Sequence, residues 1–110
     1  MSADAMSEKL TGLWAKTRDS VLARVAVIES ATDALRTGTL DADARAAAER
    51  AAHKLAGVAG TFGYWEAAEM AREAESAFEG TEPIPPMCVT QLSEIAVKLH
   101  AQLMVPPKSE

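Results

Sequence analysis

The stretch DADARAAAERAAHKLAGVAGTFG at residues 41–63 decides the fold. At about 100° per residue, Ala44, Ala48, Ala51, Leu55, Val58 and Phe62 recur at alternating steps of four and three, the pattern of an inward seam on a bundle helix. Asp41 or Asp43 can cap its start, since a short acceptor side chain there meets a backbone N–H that lacks a partner inside the helix. Gly63 ends the helix after Phe62. The same phase puts His53 about 160° from both Ala51 and Leu55, so its imidazole points away from the core.

On either side the chain repeats this periodicity. Upstream, Val21, Val25, Ile28, Thr32 and Leu35 mark a helix over residues 17–37 that Gly38 terminates. Before it, Leu10, Leu13 and Trp14 form one apolar edge of a short first helix that Ser7 can cap, and the sequence does not decide whether it is continuous with the next. Downstream, a helix over 64–79 buries Ala67, Met70, Ala71, Ala74 and Phe78 and stops at Gly80. Residues 81–86 read as a loop because Pro83, Pro85 and Pro86 remove donors and fix the backbone. A last helix over 87–104 carries the stripe Leu92, Ile95, Leu99 and Leu103, and residues 106–110 read as a flexible tail. Helices of this length joined by short turns bury one stripe each by packing antiparallel. The expectation is an all-α domain over residues 1–105, an up-and-down four-helix bundle with a short N-terminal capping helix and a filled core that favours a monomer.

Composition narrows the function classes. With 110 residues the chain suffices for one core, and with 48% apolar but 5% aromatic residues that core is aliphatic and alanine-rich. No apolar run approaches the roughly 20 residues of a bilayer span, and the N-terminus lacks a basic region followed by an apolar one, so a cytoplasmic protein is expected. The single cysteine, Cys88, has no internal disulfide partner and reads as a small buried thiol. A net charge of −5 without a basic face argues against nonspecific nucleic-acid binding and favours protein partners.

Within about 60° of His53 on the outer face lie Ala46, Glu49, Arg50, Ala56, Gly57 and Gly60. Glycine inside a helix costs about 0.5 to 1 kcal/mol relative to alanine, and this helix accepts that cost twice on the histidine's own face. A plain solvated face would carry Glu, Lys, Gln or Arg there. Gly57 and Gly60 instead strip cover from the imidazole and let another protein's surface approach. Such a histidine can be a nucleophile, one ring nitrogen attacking while the other keeps its proton. Glu49 can hydrogen-bond the imidazole, and Arg50 and Lys54 can contact a transferred anion. A metal site is disfavoured, since the positions one turn from His53 offer one carboxylate and no second imidazole. His100, beside Leu99 with Ala96, Val97, Leu103 and Met104 around it, reads as a boundary residue without chemistry. Tyr64 and Trp65 read as packing residues that can also rim the docking surface.

The segment AHKLAGVAGTFG at residues 52–63 resembles the histidine-containing phosphotransfer (HPt) domain family, with His53, Leu55, Gly57, Ala59 and Gly63 at the family's places. The likeness extends over most of the chain. It implies a four-helix bundle that relays a phosphoryl group on His53 between receiver-domain aspartates, or from a sensor histidine kinase, in two-component signalling of the bacterial kind. It implies a phosphocarrier without kinase activity, which needs no cofactor of its own because Mg²⁺ comes with the receiver. One departure stands out: the family usually has lysine three residues after the histidine, and this chain has Ala56. Arg50 and Lys54, about 60° and 100° round the helix from His53, are the nearby cations. The alternatives are an HPt-like adaptor that binds receivers or kinases without accepting phosphate, a piece of a larger signalling protein, and, more distantly, a metal- or haem-binding bundle.

Overall fold

The computed structural model describes residues 2–106, with side chains from residue 8 onward except at positions 10 and 11. Four helices follow in order: α1 Ser2–Arg36, α2 Ala42–Thr61, α3 Trp65–Phe78 and α4 Pro86–Leu103. No strand occurs among the described residues. Each helix packs on its two neighbours round the ring, α1 with α2 and α4, and α3 with α2 and α4. The fold is the expected antiparallel up-and-down bundle.

The short capping helix is not a separate element. It is the first part of α1, which runs unbroken for 35 residues and accounts for the molecule's longest dimension of 53 Å at about 1.5 Å per residue. Phase explains the continuity. Trp14 lies two helical turns before Val21, and Val21, Val25, Ile28 and Thr32 continue its row, so one stripe serves the whole segment and every one of these side chains is buried. Thr17 hydrogen-bonds back to the Leu13 carbonyl at 2.8 Å, inside helix geometry. Ser7 is therefore an interior residue rather than a cap, and Leu13 is 51% exposed instead of sharing Trp14's apolar edge. The side chain of Leu10 and the tail beyond residue 106 lie outside the described residues.

The turns use capping chemistry that the sequence displays. Gly38 and Gly63 adopt φ of 75° and 85°, a left-handed conformation that glycine reaches without a Cβ clash. After each, the next residue reaches back into the helix: Thr39 N–H donates to the Ala34 carbonyl and Tyr64 N–H to the Ala59 carbonyl, both at 2.8 Å, closing α1 and α2 with Schellman motifs. Asp41 caps α2 by accepting from Ala44 N–H at 2.7 Å, while Asp43 sits in the first turn. Ala44, placed by its phase in the seam, is exposed in that first turn. Pro86 belongs to α4 rather than to the loop, because a proline in the first turn gives up an N–H that has no intrahelical partner anyway.

The α2–α3 interface is built from alanine. Ala48, Ala52 and Ala59 of α2 and Ala67, Ala71 and Ala74 of α3 are all fully buried, and their small side chains let the two backbones approach closely. Arg45 fastens the far end of this pair. Its Nε donates to the Phe78 carbonyl at 2.8 Å, Nη2 to the Glu79 carbonyl at 3.0 Å and Nη1 to the Glu82 carbonyl at 2.7 Å, which satisfies one carbonyl at the end of α3 and ties down the cap and loop that follow it. At the opposite end Trp14 packs edge-on to Phe62 and against Tyr64, with ring centroids 5.1 and 5.0 Å away. Cys88 is half-buried in a groove between α3 and α4, more open than the core position expected for it.

Candidate functional site

His53 stands near the middle of α2 with its side chain 74% exposed, as its helical phase requires. Its Nδ1 lies 2.9 Å from Oε2 of Glu75 on α3. An ionised carboxylate can only accept, so Nδ1 carries the proton, and in the neutral ring the lone pair sits on Nε2. Glu75 is held in place by its helix. Ala71, Ala74 and Phe78 around it are buried, and its own side chain is only 28% exposed. The pairing fixes the ring's orientation as well as its tautomer.

The imidazole's carboxylate was expected from Glu49, one turn back on the same helix; it comes instead from the neighbouring helix. Glu49 is half-buried and, with Ala46, borders a groove shared with Leu40, Phe78 and Ile84. Glu75 carries a signal in the sequence: it flanks the buried stripe of α3, four residues after Ala71 and three before Phe78. What the sequence lacks is the register that puts it opposite His53.

The other site residues divide by side. Lys54 and Arg50 are exposed, and Lys54 faces α1, where it borders a shallow depression with Thr17, Arg24, Gly57, Val58, Thr61 and Phe62. Gly57 is exposed, and a Cβ built on it meets no atom within 4 Å. A Cβ on Gly60 would only touch Trp65 Cζ3 at 4.0 Å. Ala56 differs from its expected place on the docking face: at 7% exposure it lies beneath the face, on the side turned to α3. Tyr64 and Trp65 also part company. Tyr64 packs on Trp14 and donates its hydroxyl to the Val105 carbonyl, and burial raises its pKa above the ordinary tyrosine value. Trp65 is 70% exposed at the Gly60 end of the face. His100 lies on the far seam, its Nδ1 3.8 Å from Glu29 of α1. Among the described residues no group of three His, Cys, Asp or Glu side chains could hold a metal ion, and no helix is long and apolar enough to cross a membrane.

Fold and site together define a helical bundle that displays one oriented histidine on an open, glycine-lined face. The family model of the Hpt domain matches residues 12–103, and the chain belongs to that family. No curated protein and no solved structure matches it at a significant level. Hpt domains are the phosphocarrier modules of histidine phosphotransfer in phosphorelays, not kinases.

Proposed function

We propose that His53 is the phosphoryl acceptor and that the protein relays phosphate between receiver-domain aspartates, or from a sensor histidine kinase to a receiver, in the cytoplasm. The observation that carries this reading is the His53–Glu75 pair, which leaves Nε2 as an exposed nucleophile on a rigid helix. Nε2 attacks the phosphorus of a receiver's aspartyl phosphate, the N–P bond forms, the P–O bond to the aspartate breaks, and the carboxylate leaves with the bonding pair. Nδ1 keeps its proton throughout. The positive charge that the ring gains is met by Glu75, so the proton need not move during transfer. The reverse sequence donates the group to the next receiver.

Positioning and charge neutralisation dominate phosphoryl transfer, and the receiver supplies Mg²⁺ together with most of both. This chain contributes the nucleophile, the cations Arg50 and Lys54 beside it, and the open surface at Gly57, Gly60 and Ala46 on which the receiver docks. Glu49 lies at the edge of that surface and Ala56 beneath it. The test is transfer of label from phosphorylated receivers and hybrid kinases to wild type, His53→Gln and His100→Gln. Acid-labile, base-stable label on wild type and the His100 variant, and none on the His53 variant, is the expected result. Binding of receivers with no label on any form would replace the relay by an adaptor.

A further inference from the structure

We propose that Arg72 of α3 is the residue that binds the phosphoryl group on His53, an inference that rests on the relay reading above. The His53–Glu75 contact fixes how α2 and α3 lie side by side, and Arg45 on the Phe78, Glu79 and Glu82 carbonyls gives the same antiparallel register. Three residues on from His53 along α2 is Ala56, and three residues back from Glu75 along α3 is Arg72. In an antiparallel pair both steps advance about 4.5 Å in the same direction, so Arg72 lies level with Ala56. About 60° round α3 from Glu75, it is exposed on the edge turned toward the histidine's face.

Charge and space favour this side of the imidazole. One turn the other way the face carries Glu49 and the exposed Arg50 on α2 and Glu79 on α3, and Glu75 itself occupies Nδ1. A dianionic group on Nε2 is kept from the Glu75 side of the ring by charge, and at the level of Ala56, whose methyl is buried, no side chain of α2 stands above the surface. Arg72 stands at this level on the neighbouring α3. Among the described residues no hydrogen bond or ion pair engages Arg72 or Arg50, whereas Arg45, Arg24 and Arg36 each hold a partner, and Arg50 stands one turn back on α2, away from the level of Ala56. The planar fork of Arg72 can take two phosphoryl oxygens at once. The buried methyl of Ala56 leaves α2 without a cation at this level, and Lys54 faces the α1 side.

Phosphoramidate, a small donor that needs no partner, tests the assignment. Wild type, Arg72→Gln, Arg72→Lys, Lys54→Ala and the double variant Arg72→Gln/Ala56→Lys are labelled, and phosphohistidine formation and hydrolysis are followed by ³¹P NMR. Arg72→Gln is expected to slow labelling about five-fold at low salt, the effect of losing one charge-assisted contact at an exposed site. Arg72→Lys is expected to keep most of the rate and the added lysine to restore it, with thermal stability unchanged in the Arg72 and Lys54 single variants. Labelling of Arg72→Gln at the wild-type rate overturns the role of Arg72 and leaves the relay intact. Failure of wild type to label on His53 overturns both.

Discussion

Gly57 separates what the fold wants from what a docking surface wants, because a single methyl should move the two in opposite directions. Gly57 lies inside α2, which ends at Thr61, and a Cβ there meets no atom within 4 Å, so Gly57→Ala introduces no clash. Removing glycine's extra backbone entropy then stabilises the helix by about 0.5 to 1 kcal/mol. For a domain of this size that raises Tm by about 3 to 6 °C. The methyl projects from the histidine's own face one turn away, into the space that a receiver must occupy. Holding a partner back by about 1 Å can cost up to a hundredfold in a reaction that depends on alignment. Transfer from a phosphorylated receiver should therefore fall about tenfold in Gly57→Ala and further in Gly57→Gln. Labelling by phosphoramidate, too small to touch position 57, should stay at the wild-type rate. Calorimetry with rapid-quench transfer assays on the same samples reads both effects. Stabilisation with undiminished receiver transfer would show that the glycine does not serve docking, and destabilisation would contradict the open surface itself.

Three other perturbations probe the scaffold around the site. Glu75→Gln keeps an acceptor for Nδ1–H but loses the charge, whereas Glu75→Ala loses both, so labelling of His53 should fall about threefold in the first and about tenfold in the second; equal rates in all three forms would deny Glu75 any part in orienting the ring. Arg45→Ala removes three charge-assisted bonds to carbonyls, one half-buried and two exposed, and should cost about 2 to 3 kcal/mol by urea unfolding; a loss below about 1 kcal/mol would mean that water replaces the guanidinium. For Tyr64, burial raises the phenol's pKa in the folded state above its unfolded value, so its contribution is fully present below the unfolded pKa and is lost as pH rises through the folded one. Ionisation also ends donation to Val105. Alkaline unfolding should accordingly begin at higher pH in Tyr64→Phe, and identical alkaline midpoints would exclude Tyr64 as a contributor.

The helices and the outward face of His53 were legible because helical phase is a local property: any window of two turns carries it. Capping residues were equally local, which is why Gly38, Asp41 and Gly63 stand where the sequence indicated. The junction between residues 10 and 20, whose continuity the sequence leaves open, shows where local reading weakens. Nothing in that segment breaks a helix, and Trp14 shares a row with Val21, but the intervening exposed residues concealed the connection. Ala56 was misplaced for a related reason. A wheel gives an angle from His53, while burial depends on which side the neighbouring helix covers.

Glu75 belongs to a different level of information. That α3 carries a carboxylate beside its buried stripe is visible in one dimension, but that it meets His53 depends on the register of two helices set by contacts far from the imidazole. The Gly63 turn fixes one end of the pair and the Arg45 clamp the other. Between them the alanine faces, which interlock through little but methyl groups, allow close approach without specifying register strongly. A slip of one turn, about 5.4 Å, would bring Arg72 or Glu79 to the level of Nδ1 in place of Glu75. Arg72 there would offer the ring donors instead of an acceptor. The chemistry of the histidine thus depends on Arg45 and Gly63, neither of which touches it. Loosening the clamp should disturb labelling of His53 under conditions where most molecules are still folded, a coupling that the local pattern of α2 alone does not contain.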